Sequence, residues 1–282
     1  MRVRYLFSSK KTGKSRKPFS VNSHKQEFPK LVREVIRTAD IILEILDSRF
    51  VSKTRNPELE EYILSQDKKI IYILNKADLV DVNALKENPE TFELNPKIII
   101  SCKDKIGRTN LRTFLKIEAK RLHLPKGKKA RIGVVGYPNT GKSSIINILA
   151  SGRGVGVGGA AGFTRGIQKI RFSKDILVLD TPGVIPDKED FNINAWSFKK
   201  HAEIGVKTFD KVDSPDLVVM QLMKNNPGLF ELFYNIDADG DVEILLDKLG
   251  RRLGFVKKGN EVDTDRAARF VLKDWQSGKI RK

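Results

Sequence analysis

The 282-residue sequence predicts an α/β protein, a mostly parallel, doubly wound sheet followed by a smaller helical region. Three observations predict it. Short apolar runs recur at strand length: "DIILEILD" (40–47), "KIIYILN" (69–75), "KIIIS" (97–101), "RIGVVG" (131–136), "IQKIRF" (167–172) and "DILVLD" (175–180). Most are β-branched and bounded by polar stretches, as buried parallel strands are. Helix-like segments lie between several of them, and one run leads through a glycine loop into an apolar helix start.

Residues 8–27 are polar, basic and without periodicity, so 1–27 is expected to be a basic flexible arm. The "TGKS" at 12–15 is not a phosphate loop, because Ser8 stands where the first glycine is needed. "TNLRTFLKIEAKRL" (109–122) brings Leu111, Leu115 and Leu122 near one helix face, with Phe114 beside them. "HLPKGKKA" (123–130) is a basic connector, and the glycine-dense 151–166 stretch reads as a loop. Longer helical patterns then dominate. The tail at 264–280 predicts an amphipathic helix capped by Thr264, with Ala267, Ala268, Val271, Leu272 and Trp275 as its apolar face. These signals divide the chain into the arm, an α/β domain over 28–189 and a helical domain over 190–282.

Lys and Arg number 53 against 35 Asp and Glu, a net charge of +18 that points to a polyanionic partner. The excess concentrates in three segments. Residues 1–25 hold eight Lys/Arg and no acids, 116–131 hold seven and one, and 248–282 hold eleven and four. No apolar run reaches the roughly 18–20 residues that span a bilayer, so no membrane partner is expected. Cys102 is the one cysteine, which excludes an intramolecular disulfide and fits a reducing, cytoplasmic setting. Scattered histidines and one cysteine make no zinc site. A monomer is expected.

"GYPNTGKS" (136–143) satisfies the G-x-x-x-x-G-K-[ST] pattern between a strand and a helix start, the context it requires. Its candidate phosphate contacts are Pro138, Asn139, Thr140, Gly141, Lys142, Ser143 and Ser144. Backbone N–H groups wrap the phosphates, Lys142 reaches the β- and γ-phosphates, and Ser143 ligates Mg²⁺. "DTPG" (180–183) ends a strand 37 residues later. Asp180 is placed to hold the Mg²⁺ water shell, and Gly183 to give its N–H to the γ-phosphate. Thr164, between the two motifs, is the natural second Mg²⁺ ligand. A second group lies upstream. Asn75, Lys76 and Asp78 follow the strand "IIYIL", and a carboxylate at Asp78 can accept from guanine N1–H and N2–H₂ together. Ser101, Cys102 and Lys103, after another strand, are placed to support the base.

The motif order is base, base support, phosphate, switch threonine, Mg²⁺. That is a rotation of the order in Ras-like GTPases, as a circularly permuted domain gives, and nearby chain termini make such a cut tolerable. The chain therefore resembles the circularly permuted Ras-like P-loop GTPases of the ribosome-assembly group. The likeness extends over about residues 30–280. It includes "LDSRF…RNP" (46–57), similar to the family's D-A-R-x-P…N-P segment, in which Asp47 and Arg49 have no assigned role, and the closing "AARFVLKDWQSGKI". The resemblance implies GTP binding, GTP hydrolysis to GDP, and action on the pre-ribosomal large subunit through ribosomal RNA. Val184 stands where many GTPases place a water-orienting Gln, so intrinsic turnover is expected to be slow. Relatives with that replacement carry Asn at the Asn139 position, where in some it ligates K⁺, and the same is carried to Asn139. Two alternatives stay open: another type of P-loop nucleotide enzyme, or a nucleotide-gated tRNA- or rRNA-binding module with negligible turnover. Nothing in the basic segments separates rRNA from tRNA.

Overall fold

The computed structural model describes residues 27–150, 168–181 and 200–281. The basic arm, the glycine-dense stretch, Thr164, Gly183, Val184 and the expected boundary at 189/190 lie outside the described residues.

Six strands form one sheet: β1 (Ile41–Asp47), β2 (Lys69–Asn75), β3 (Lys97–Ile99), β4 (Ala130–Val135), β5 (Gln168–Arg171) and β6 (Ile176–Asp180). Their spatial order is β3-β2-β1-β4-β6-β5. Neighbours are parallel except β5, which runs antiparallel to β6 at the edge. Every β1 residue is buried, as suits a central strand covered on both faces. Alternation divides the sheet. Leu43, Ile45, Ile73, Ile132 and Val178 face α5 (Arg108–Arg121) and α6 (Lys142–Leu149), where Leu111, Leu115, Ile145 and Ile146 meet them. Ile42, Leu46, Leu74 and Leu179 face α1 (Glu27–Thr38) and α3 (Pro57–Ser65), against Val35, Ile36 and Ile63. The short helices α2 (Val51–Thr54) and α4 (Val82–Glu87) lie in the loops after β1 and β2.

The C-terminal region is helical: α7 (Pro215–Asn225), α8 (Leu229–Tyr234), α9 (Val242–Arg252) and α10 (Thr264–Ser277). The five residues of the expected apolar stripe of α10 are all buried in one core with Leu222, Phe230 and Leu245. Phe50 and Tyr137 of the α/β part belong to the same core. One expectation is corrected here. Thr264 does not cap α10; Asp263 does, its carboxylate accepting from the N–H of Arg266 at 3.1 Å. Asp263 is non-helical (φ −79°, ψ 83°) and Thr264 already helical, and a carboxylate acceptor suits the positive end of the helix.

The parallel register matters for function. Asp47 pairs with Asn75 across β1 and β2, and Val134 with Asp180 across β4 and β6. The carboxyl ends of these strands therefore share one edge, which in open α/β sheets carries the binding crevice.

Candidate nucleotide-binding site

At the end of β2 the chain turns at Lys76, which takes a left-handed conformation (φ 63°), into a 3-10 turn over Ala77–Leu79. The turn is pinned where Ala77 N–H donates to the carbonyl of Ile100 at 3.1 Å. Ser101 Oγ donates to Asp78 Oδ1 at 2.6 Å and accepts from the N–H of Asp104 at 3.0 Å. Ser101 thus fixes the orientation of the Asp78 carboxylate. Cys102 N–H lies 3.4 Å from Asn75 Oδ1, and burial beside Asp78 pushes the Cys102 thiol up to about 12.

Asn75 joins the two halves of the site. Its Nδ2 donates to the carbonyl of Thr140, inside the phosphate loop, at 2.8 Å and in a buried setting. Gly141 makes this approach possible. A Cβ there would lie 2.1 Å from Asn75 Nδ2, and the φ of +101° is one that side chains resist. A base-type motif and a phosphate loop 65 positions apart are thereby one structural unit. They share a cavity of about 580 Å³, lined by Asn75, Lys76, Asp78, Cys102, Lys103, Asn139, Gly141 and Ser144.

The phosphate end is built on α6. Gly141 precedes that helix, Lys142 opens it, and Ser143 follows half-buried in its first turn. Thr140 Oγ1 donates to the Tyr137 carbonyl at 2.9 Å, closing the loop, and Pro138 lies half-buried within it. Lys142 Nζ donates to the carbonyls of Gly136 (2.9 Å) and Tyr137 (2.6 Å). Burial pulls its ammonium down to about 8, against the opposing pull of Asp180. Burial also pushes the Asp180 carboxyl up to about 6, and the Lys142 charge offsets only part of that. Both Asp180 carboxylate oxygens are buried without a hydrogen-bond partner. Two orphaned oxygens beside α6 and the Ser143 hydroxyl form the donor set that a hard divalent cation takes, so the residues fit Mg²⁺. Asn139 is exposed, and its Nδ2 donates to the Gly205 carbonyl at 2.5 Å, tying the loop to the C-terminal region.

Residues outside the sequence motifs complete the site. Lys76 Nζ donates to Asp47 Oδ2 at 2.6 Å, and Arg49 holds the same carboxylate through Nε (3.0 Å) and Nη2 (2.8 Å). Burial would raise the Asp47 pKa, yet the Lys76 charge and the Arg49 bonds hold it below the usual value. The "LDSRF" likeness had marked Asp47 and Arg49 without a role; they anchor the base-motif lysine. Gln276 and Ser277 of α10 also line the cavity, as do Lys105, Arg108 and Asn147. No short motif signals them, because tertiary packing alone brings α10 there.

The family model described as "50S ribosome-binding GTPase" matches residues 131–232. The match starts at β4, where the phosphate half begins, and leaves the base half ahead of it. The chain therefore carries a match to a GTPase family model over residues 131–232, with the base-type motif bonded to that part through Asn75 and Thr140. It is similar to an uncharacterized GTP-binding protein of Methanocaldococcus jannaschii, 37% identical over 257 residues. That alignment covers 89% of this chain and 65% of the relative. It is also similar to the guanine nucleotide-binding protein-like NSN1 of Arabidopsis thaliana, 32% identical over 290 residues, covering 92% of this chain and 48% of that one. The chain thus spans about two thirds or less of these relatives. The crystal structure of GNP-bound YlqF from T. maritima shares the fold, with a TM-score of 0.60 and 24% identity over 90% of this chain and 94% of the other.

Proposed function

We propose that the protein binds GTP and GDP, hydrolyses GTP slowly with Mg²⁺, and uses the cycle as an assembly switch on RNA of the pre-ribosomal large subunit. The bond from Asn75 to the Thr140 carbonyl carries this reading, because it fuses the base and phosphate motifs into one site. The description of the matching family as ribosome-binding, and the +18 charge, support the RNA partner.

Asp78, oriented by Ser101, accepts from guanine N1–H and N2–H₂, a donor pair that adenine lacks. Loop N–H groups around Gly141 and the start of α6 receive the phosphates, and Lys142 neutralises their charge. Ser143 and Asp180 would hold Mg²⁺, which would supply positive charge to the phosphates. Thr164 and Gly183 complete the γ-phosphate end in this reading. Valine at position 184 offers no hydrogen bond to a water, which keeps intrinsic turnover slow. Asn139 keeps its Nδ2 on Gly205 and offers Oδ1 to K⁺. The setting is cytoplasmic and the protein a monomer in this reading, with a domain boundary near 189/190. Among the described residues no helix is long and apolar enough to cross a membrane.

Steady-state GTP hydrolysis in K⁺ and in Na⁺ buffer, for the wild type and Asn139→Ala, tests the mechanism. Faster turnover in K⁺ that disappears in the variant supports it. Equal wild-type rates in the two salts remove the K⁺ role, and no GTP turnover with Mg²⁺ and large subunits present removes the enzyme.

A further inference from the structure

A second concave site lies at the opposite edge of the sheet from the nucleotide cavity. It encloses about 640 Å³ between the C-terminal end of α5, the 123–129 connector and the β5–β6 hairpin. The amino ends of β4 and β6 border it through Ala130 and Ile176. Because β1, β2, β4 and β6 run parallel, this edge is the far side from the strand ends that build the nucleotide site.

The lining is strongly basic: Lys116, Lys120, His123, Lys126, Lys128 and Lys174, against the single acid Asp175. All six basic side chains are exposed. Among the described residues none of the five lysines forms an ion pair, whereas Lys69 and Arg121 nearby are engaged by Glu118 and Arg131 by Asp40. Lys120 has a structural use, since a cation suits a helix C-terminus. The loop lysines Lys126, Lys128 and Lys174 have no such use. Crowding them around one concavity costs self-repulsion that a bound polyanion relieves. The framework is fixed: Ala130 N–H donates to the Asp175 carbonyl at 2.8 Å, and Lys128 N–H to the Pro125 carbonyl at 3.0 Å. Gly127, at φ +89°, has no neighbour within 4 Å of a Cβ position, so its backbone is open to close approach.

We infer that this lysine-lined cleft is a seat for the phosphodiester backbone of a structured RNA. Lysines act as point charges on phosphate and carry no base-reading fork, so recognition here is of backbone and shape. A concave wall suits a phosphate strand, while a flat lipid surface touches only its rim. Among the described residues no exposed large apolar side chain lines the cleft for insertion into a bilayer. The assignment rests on the RNA-switch reading above and adds where the RNA sits. RNA and nucleotide then occupy opposite edges of one sheet and do not compete.

The test uses a fluorescein-labelled RNA hairpin of arbitrary sequence and the full chain, with anisotropy followed across a salt series. Lys120→Ala/Lys126→Ala/Lys174→Ala removes cleft charge. Lys211→Ala/Lys224→Ala/Lys258→Ala removes equal charge from exposed positions of the C-terminal region. The cleft variant is expected to lose about tenfold or more in RNA affinity and to lower the slope of log K against log salt by about 2 to 3. The other variant keeps most of its binding, and both keep wild-type GDP affinity, which reports an intact fold. Equal losses in the two variants, or an unchanged cleft variant, overturn the cleft and leave the RNA switch standing. A wild type that binds GDP but no RNA overturns both. Cleft-dependent binding to phosphatidylserine vesicles with no RNA binding also overturns the assignment, in favour of a membrane surface.

Discussion

Arg49 donates through Nη1 to the main-chain carbonyl of Trp275 at 3.2 Å. The same guanidinium grips Asp47, and Asp47 holds Lys76 of the base motif. A continuous line of polar contacts thus runs from the turn at Lys76 to α10. Packing reinforces it. Phe50 and Trp275 rings lie 6.0 Å apart, Lys53 pairs with Glu203 at 2.6 Å, and the Trp275 indole N–H donates to the Glu203 carbonyl at 3.0 Å. Arg49→Ala would leave the buried Asp47 with Lys76 and the main-chain N–H of residue 49, and would free the Trp275 carbonyl. The expected loss is about 2–4 kcal/mol, read in urea as a lower midpoint at unchanged m.

Asp47 also gives a pH signature. Its folded-state pKa lies below the ordinary 3.8. Its contribution is therefore fully present above about pH 4 and is lost as pH falls through the lower folded value. Asp47→Asn should be less stable than wild type at pH 7, and the gap should narrow below pH 4. A gap that stays constant between pH 7 and pH 3 contradicts the ionised pairing.

Gly141→Ala tests the junction of the two motifs. An added Cβ collides with Asn75 Nδ2 and meets an unfavourable φ. The Asn75–Thr140 bond must break or the phosphate loop must shift. GDP affinity should fall at least about tenfold, with about 1–3 kcal/mol of lost stability. Wild-type GDP affinity in this variant would show that the contact does not shape the site.

Asp180→Asn separates stability from function. The buried carboxylate has two unpartnered oxygens, a cost to the nucleotide-free fold that an amide lessens. Nucleotide-free protein should gain about 1–2 kcal/mol, while Mg²⁺-dependent hydrolysis falls about 10- to 100-fold or more. A variant that is less stable and equally active would remove Asp180 from the metal site.

The central sheet is legible because β1, β2, β4 and β6 are largely buried and therefore mostly apolar, whereas the edge strand β5 carries Lys169 and Arg171 exposed. Runs such as "KIIYILN" matched β2 residue for residue, and the stripe of α10 followed from helical spacing. The helix cap lies at Asp263 rather than at Thr264, since Asp, Thr and Asp stand side by side and sequence does not show which of them precedes the first helical residue. The motifs were readable because phosphate and base recognition restrict both residue type and spacing. Their junction was not, because Asn75 and Thr140 are distant in sequence and their contact depends on strand register. Gln276 and Ser277 were invisible for the same reason. Their place at the cavity is set by the docking of α10, where Gly278 (φ +76°) lets the helix end lie against Leu79.

The most direct measurement is the affinity for GDP against ADP in the wild type and in Asp78→Ala. Strong guanine preference that collapses in the variant is the expected result, because in the proposed site Asp78, held by Ser101, reads the base within the cavity that the phosphate loop lines. Equal GDP and ADP binding, or a preference untouched by the substitution, would contradict a single site built from the two motifs.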